Sequence, residues 1–340
     1  MPIPIGQPRV TAAQVAERAG VSQPTVSLVL GAHPTARVAK ATRERVLRAA
    51  EELGYRPNRL AQALVMRRSF TIGVLVPRLD NPVYSSVISG AEKVAAGAGY
   101  AVLLAEADHG SSHAHLLALR DRQVDGVIVC GFGESDLPAD VLAEVHPVLV
   151  EQPSKHHPSI SSDSERAGQL VAEHLLELGH REFAFIGPAT DAQSFRLRER
   201  GFVRRLREAG IALESSRLRR ISGTVAGGAL AMRALLASSS RPTAVFCAND
   251  LIALGAHKAC ATAGLVLPRD LSLVGCDGIE IGSLVTPELT TVSVPQRELG
   301  ARAVRLLLRR LDGQEVSSAP QVLPVRLLPR GTTGPVPHNS

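Results

Sequence analysis

Aromatic residues are scarce in this 340-residue chain: no tryptophan, three tyrosines and seven phenylalanines, 3% in all. A site that holds sugar rings by stacking has few side chains here to do it with. The four cysteines, Cys130, Cys247, Cys260 and Cys276, are scattered without a CxxC pair. That excludes a disulfide framework or zinc ribbon and fits a reducing compartment. No apolar run approaches the ~20 residues of a membrane span. The start, MPIPIGQPRV, lacks a basic region followed by an apolar stretch, so neither membrane insertion nor export is expected, and a cytoplasmic location is. The chain also lacks GxSxG, HExxH, a Walker A loop and metal-ligand spacing. No catalytic residue, metal or cofactor is expected, and the chain does not read as an enzyme.

What is present is unevenly distributed. The net charge is +6, yet residues 1–69 hold eleven Lys and Arg against four Glu, and the remaining 271 hold 27 basic and 28 acidic groups. A basic segment joined to a neutral body suggests binding to a polyanion. Within the basic segment three helices are expected. Thr11 and Gln14 form a capping box ahead of Ala12, Val15, Ala16 and Ala19, and Gly20 ends that helix. Ser22 caps a second helix with Pro24 in its first turn, where a missing N–H does no harm. Val26, Val29 and Leu30 face inward, while Thr25, Ser27 and Leu28 point elsewhere. A third helix, about 42–53, turns Val46, Leu47 and Ala50 inward, and Ala39 before it cannot supply a hydroxyl cap. Two short helices joined by a glycine-containing turn make a helix-turn-helix.

The strings AAQVAERAGVSQPTVSLVLG and ATRERVLRAAEELGYRPNRLAQAL resemble the DNA-binding headpiece of the LacI/GalR family of bacterial repressors. The resemblance covers residues 10–68 and continues through the body. It implies that Thr11, Ser22, Thr25 and Ser27 lie at phosphates, which supply affinity and register. It places Gln23, Pro24 and Leu28 against base edges. The last of these is a departure, since the family often has Arg there. Leu28 can make only apolar contact, for example with a thymine methyl, or else pack on the third helix. Gln23 can bond adenine bidentately. Arg37, in the insertion AHPTAR, either reaches phosphate or sits in a solvated loop. The stretch RPNRLAQALVMRRS resembles the family's hinge, too short to be a stable helix alone, which orders on DNA and pairs across a dimer. Leu64 matches the wedge that opens a base step in the minor groove, and Asn58, Ala61 and Gln62 match neighbouring contact positions.

From Thr71 short apolar runs (TIGVLV, YAVLLA, DGVIVC, PVLVE, EFAFIG, TAVFCA, LSLVG) alternate with helical stretches. That implies parallel sheets flanked by helices, with more units than one small sheet can use. The expected fold is a small all-α headpiece followed by an α/β body of two lobes with a cleft between them, which the resemblance identifies as periplasmic-binding-protein-like. The expected limits are headpiece 1–56, hinge 57–69 and body 70–330. Within the body, the first lobe takes about 71–160 and 291–320, the second about 161–290 and 321–330. The tail strand near 321–327 thus falls in the second lobe, and 331–340 is a flexible tail.

In such folds ligands bind outside the carboxyl ends of the strands. The resemblance then marks Asn81, Val83 and Tyr84 after the first strand, Glu151 after the fourth, and Asp163 at the entry to the second lobe. It adds Phe195 and Arg198 in SFRLRERGF, Asn249 in FCANDLIALGA and Asp277 in LVGCDG. Asn, Asp and Arg on one cleft suit a polyhydroxylated ligand, and Phe195 can stack on a sugar face. Several of these are equally residue types that cap helices or close turns, and Asp250 is expected to cap its helix. The family's aromatic and second Asp around Asp277 are replaced by Cys276 and Gly278, which makes the pocket roomier there.

The function expected is a transcriptional repressor that binds a pseudo-palindromic operator on double-stranded DNA as a homodimer, under control of a small-molecule effector such as a sugar or related metabolite. The C-terminal GTTGPVPHNS has no heptad pattern, so no tetramer is expected. A transport protein would share the body but not the headpiece. An architectural DNA-binding protein would need no cleft and would bind none of the sugars or nucleosides offered to it.

Overall fold

The computed structural model describes residues 10–30, 38–55, 68–108, 110–132 and 137–336. The chain divides into two compact units, Met1–Phe70 and Thr71–Ser340.

The first unit holds helices α1 (Ala12–Ala19), α2 (Gln23–Leu30) and α3 (Lys40–Glu52). The Thr11–Gln14 capping box closes α1 in both directions, and Gly20 ends it with φ 64° and ψ 43°. Ser22 Oγ accepts the Thr25 N–H at 3.4 Å at the start of α2. Val15, Ala16, Ala19, Val26, Val29, Val46, Ala49 and Ala50 form a core of small side chains, which lets three short helices approach closely. Leu47 is not part of it; it is 48% exposed. The inward stripe of α3 is Val46, Ala49 and Ala50, the i, i+3, i+4 set, and Leu47 lies about 100° away from Val46. Ala39 caps nothing with its side chain.

The second unit contains two six-stranded sheets. In the first half of its chain run β1 (Thr71–Val76), α4 (Pro82–Gly97), β2 (Ala101–Glu106), α5 (Ser112–Asp121), β3 (Gly126–Cys130), α6 (Ala139–Glu144), β4 (Pro147–Val150) and β5 (Ser159–Ser162). There follow α7 (Ser164–Glu177), β6 (Phe183–Pro188), α8 (Gln193–Glu208), β7 (Leu218–Ile221), α9 (Val225–Leu236), β8 (Ala244–Cys247), α10 (Asp250–Thr262), β9 (Ser272–Asp277), β10 (Thr290–Ser293), α11 (Gln296–Leu311), β11 (Gln321–Leu323) and β12 (Arg326–Leu328). The sheet orders are β11-β5-β4-β3-β1-β2 and β12-β10-β9-β8-β6-β7. All pairings are parallel except β10 with β12.

Two expectations about the C-terminal region are corrected. The tail strand does not belong to the second lobe as a whole: Gln321–Leu323 pairs with β5 in the first sheet, and only Arg326–Leu328 pairs with β10 in the second. The chain therefore crosses between lobes at the two residues separating them. Residues 331–336 are also built into the second lobe rather than loose. Thr332 is fully buried, its Oγ1 donates to Leu273 O at 2.6 Å and accepts Thr290 N at 2.9 Å, and Val336 N donates to Leu178 O at 3.0 Å. His180 approaches Gly334 O with Nε2 at 3.1 Å and Thr243 Oγ1 with Nδ1 at 2.9 Å. Residues 337–340 lie outside the described set.

The scarce aromatics are concentrated in one core. Phe183, Phe185, Phe202 and Phe246 are fully buried in the second lobe, with ring centroids 5.2–6.3 Å apart. Three helix pairs meet backbone to backbone through reciprocal glycines. A Cβ on Gly90 of α4 or Gly300 of α11 would lie 1.9 Å from a carbonyl oxygen of the other helix. Gly168 of α7 with Gly201 of α8, and Gly228 of α9 with Gly255 of α10, repeat the arrangement at 1.9–2.0 Å. These contacts fix where each helix starts relative to its sheet, and the helix starts carry the candidate site.

Candidate functional site

In the first unit the N-terminal face of α2 is open. Ser22, Gln23, Pro24, Ser27 and Leu28 are exposed, Thr25 is half-buried with Oγ1 2.8 Å from Ser22 Oγ, and Thr11 is exposed beside α1. Leu28 points outward at 41% exposure and so does not serve as packing for α3. Arg37, Asn58, Ala61, Gln62 and Leu64 lie outside the described residues.

In the second unit the strand ends of both sheets present polar side chains, and the structure brings some of them together. Arg198, in α8, is 4% exposed. Its Nη1 donates to Ala248 O at 2.6 Å and pairs with Asp277 Oδ1 at 2.9 Å. Its guanidinium lies 5.4 Å from the Phe195 ring centroid, and its Nε is buried without a hydrogen-bond partner. Burial works against the charge on Arg198, but Cys276, Asp277 and Glu151 outweigh it, and the pKa rises. Asp277 ends β9 with φ 130°, and burial pushes its carboxyl up to about 7 against the pull of Arg198.

Opposite, in the first lobe, Glu151 follows β4 with φ 61°. Its carboxylate accepts Ser162 N at 3.0 Å and Ser162 Oγ at 3.1 Å. Burial raises its pKa, opposed by Arg198 and the Ser162 bonds. Tyr84, in the first turn of α4, lays its hydroxyl over Gly131, where a Cβ would be 2.2 Å away; burial raises its pKa, and Glu151, Asp277 and Arg198 all act on it. Tyr84, Glu151, Arg198 and Asp277 thus share one region contributed by both lobes, with Arg198 and Asp277 buried and Tyr84 and Glu151 half-buried. Val83 is half-buried beside Tyr84.

The other marked residues are helix caps. Asn81 accepts Val83 N at 3.0 Å, Asp163 accepts Arg166 N at 3.0 Å, and Asn249 accepts Ile252 N at 2.8 Å. Capping occupies one acceptor and leaves the rest of each side chain at the strand ends. Asn249, not Asp250, therefore caps α10. Asp250 is fully buried and accepts Thr291 Oγ1 at 2.6 Å and Ile279 N at 2.9 Å, tying α10 to β10 and to the loop after Asp277. Its Oδ1 occupies the space a Cβ on Gly275 would need, 2.1 Å away. Gln296 is a further residue that the sequence reading did not single out; its Nε2 donates to Asp277 O at 2.5 Å. Both are recognisable only once β9, β10 and α11 are adjacent. Among the described residues no cluster of three or more His, Cys, Asp or Glu is placed to hold a metal, and no helix is long and apolar enough to cross a membrane.

Comparison with known proteins bears on both units. Residues 11–58 match the bacterial regulatory proteins of the lacI family, and residues 172–333 match the periplasmic binding protein-like domain. The HTH-type transcriptional repressor CytR of Escherichia coli (strain K12) is 34% identical over 336 residues, 96% of this chain and 97% of that one. The lac repressor dimer bound to operator and the anti-inducer ONPF superposes with a TM-score of 0.84 at 33% identity, over 96% of this chain and 100% of that one. The complex of the transcriptional regulator CelR with cellobiose gives 0.72 at 29%, over 95% and 100%.

Proposed function

The chain belongs to the lacI family of bacterial regulatory proteins, and on that footing we propose that it represses transcription in the cytoplasm as a homodimer on a pseudo-palindromic operator, with its DNA affinity set by a small polyhydroxylated effector held between the lobes. Two-fold symmetry of the dimer matches two half-sites. The observation that carries the effector reading is the buried Arg198. It is paired to Asp277 on one side and keeps an unpartnered Nε. A buried donor without an acceptor costs about 1–3 kcal/mol, which a ligand oxygen in the cleft removes. The complex of CelR with cellobiose supports a sugar-like ligand.

For the dimer, the supporting feature is the apolar turn after β9, where Ile281 and Leu284 are 44% and 73% exposed. Exposed apolar groups side by side are the usual material of an interface. Effector and DNA are coupled if closing the cleft changes the spacing of the two headpieces; only a ligand with different affinities for the two lobe arrangements can do this. Asn81, Val83, Glu151, Asp163, Phe195 and Asn249 line the same strand ends and are assigned to the effector with Tyr84, Arg198 and Asp277. The buried Arg198 and Asp277 pair also weighs against a constitutive architectural role, which requires no such buried ion pair.

The test is capture of genomic fragments by the full-length protein at moderate salt, with and without a metabolite extract. Selective retention that the extract changes, and that Arg198→Met renders insensitive, supports the reading. Indiscriminate retention, or none, overturns it.

A further inference from the structure

The face of α2 turned away from its own core is apolar. Val26 and Val29 are buried at 1% and 6%. With about 100° of rotation per residue, the opposite side falls to Pro24 and Leu28, both exposed, flanked by exposed Gln23 and Ser27. The helix, QPTVSLVL, holds no charged residue. A reading helix with Arg or Lys here would seek guanine; this one offers two hydrocarbon surfaces and a single side-chain amide. Pro24 and Leu28 are four residues apart, about 6 Å along the helix axis, so a helix lying in the major groove sets the two against different base pairs of one half-site. The apolar feature presented on the base edges of the major groove is the thymine 5-methyl group.

We propose that α2 recognises its half-site through thymine methyls: Leu28 and Pro24 pack on the 5-methyl groups of different thymines, and Gln23 supplies the hydrogen-bonding contact beside them. The inference rests on the operator-binding reading above. It assigns A·T pairs to the positions under Leu28 and Pro24, and it makes discrimination there depend on a methyl group rather than on a hydrogen-bond pattern.

The experiment begins with selection of a duplex from a random-sequence library by the full-length protein. Each thymine of the selected site is then replaced by uracil, which removes only the methyl, and binding is followed by fluorescence anisotropy for the native protein and for Leu28→Ala. Leu28 is exposed, so its truncation leaves the headpiece folded, which circular dichroism verifies. The expected result is one or two positions per half-site at which uracil weakens binding three- to tenfold. At the position under Leu28, the Leu28→Ala protein loses a similar factor on the thymine duplex and no longer distinguishes uracil from thymine. Native binding indifferent to uracil everywhere overturns the proposal, as does Leu28→Ala weakening both duplexes equally while still preferring thymine. Enrichment of no duplex at all overturns the operator-binding reading itself, and the proposal with it.

Discussion

The contact between α7 and α8 makes a sharp prediction for Gly168→Ala. At ideal geometry the new methyl carbon would lie 1.9 Å from the carbonyl oxygen of Arg198 and 2.6 Å from the amide nitrogen of Phe202. Non-bonded heavy atoms pack at about 3.5 Å, so the two helices must separate by roughly 1.5 Å. The obstacle is backbone on both sides and cannot rotate away. Overpacking of this kind costs up to about 3 kcal/mol, offset by the ~1 kcal/mol that alanine gains over glycine inside a helix. The net loss is up to about 2 kcal/mol, a fall in Tm of up to roughly 8 °C for a unit of this size. The residue displaced is Arg198 itself, whose pairing with Asp277 is 2.9 Å long. Gly126→Ala is the control: its Cβ would lie 2.5 Å from Leu307 Cδ1 and 3.2 Å from His146 O at the start of β3, a packing defect at the opposite end of the strand from the candidate site. Thermal unfolding by circular dichroism measures the first effect, and the effector concentration needed to alter operator binding measures the second. Both variants lose stability, and Gly168→Ala alone needs at least tenfold more effector. Unchanged stability of Gly168→Ala, or equal effector response in the two variants, refutes the reasoning.

Other outcomes follow from the same geometry. Truncation after Arg330 leaves Thr290 N, Leu273 O and His180 without partners that residues 332–334 supply; at about 1–3 kcal/mol for each buried group abandoned, Tm falls by more than 5 °C, whereas a loose tail would be removed without effect. Asp277 has its folded pKa raised to about 7 from the ~4 of a free aspartate, so between these values the folded protein binds the extra proton and stability declines as pH rises; Asp277→Asn flattens the decline in denaturant titrations run at pH 4.5 and 7.5. Leu284→Arg places a charge at the most exposed of the large apolar side chains in the second lobe, and sedimentation at micromolar concentration then gives a monomer where the parent gives a dimer. Ala39→Ser supplies the hydroxyl that α3 lacks and stabilises the headpiece by about 1 kcal/mol, read from its separate unfolding transition.

Much of this architecture is legible in the chain because it rests on local chemistry. The Thr11 and Gln14 box, the left-handed Gly20 and Pro24 in a first turn each depend on residues within one helical turn, and the apolar runs of β1, β3 and β8 declare themselves as buried strands. The four short strands β5, β7, β10 and β12 do not. SISS, LRRI, TTVS and RLL carry little apolar alternation, and they become strands because a neighbouring strand satisfies their backbone. Leu47 shows the same limit within a helix: hydropathy marks it for the core, but the stripe that meets α1 and α2 is the one with alanines small enough for close approach.

By itself the sequence determined the class of the protein: a basic helix-turn-helix ahead of an α/β body, written in caps, turns and periodicity that need only near neighbours. Tertiary structure alone decided which of the polar residues marked in the sequence come together. Asn81, Asp163 and Asn249 are caps by local rule, whereas Arg198, Asp277, Glu151 and Tyr84, from elements of both sheets, come close enough to act on one another's charge only in the folded chain. Ion pairing and pKa depend on distance and burial in space, and those arise between residues far apart in the chain.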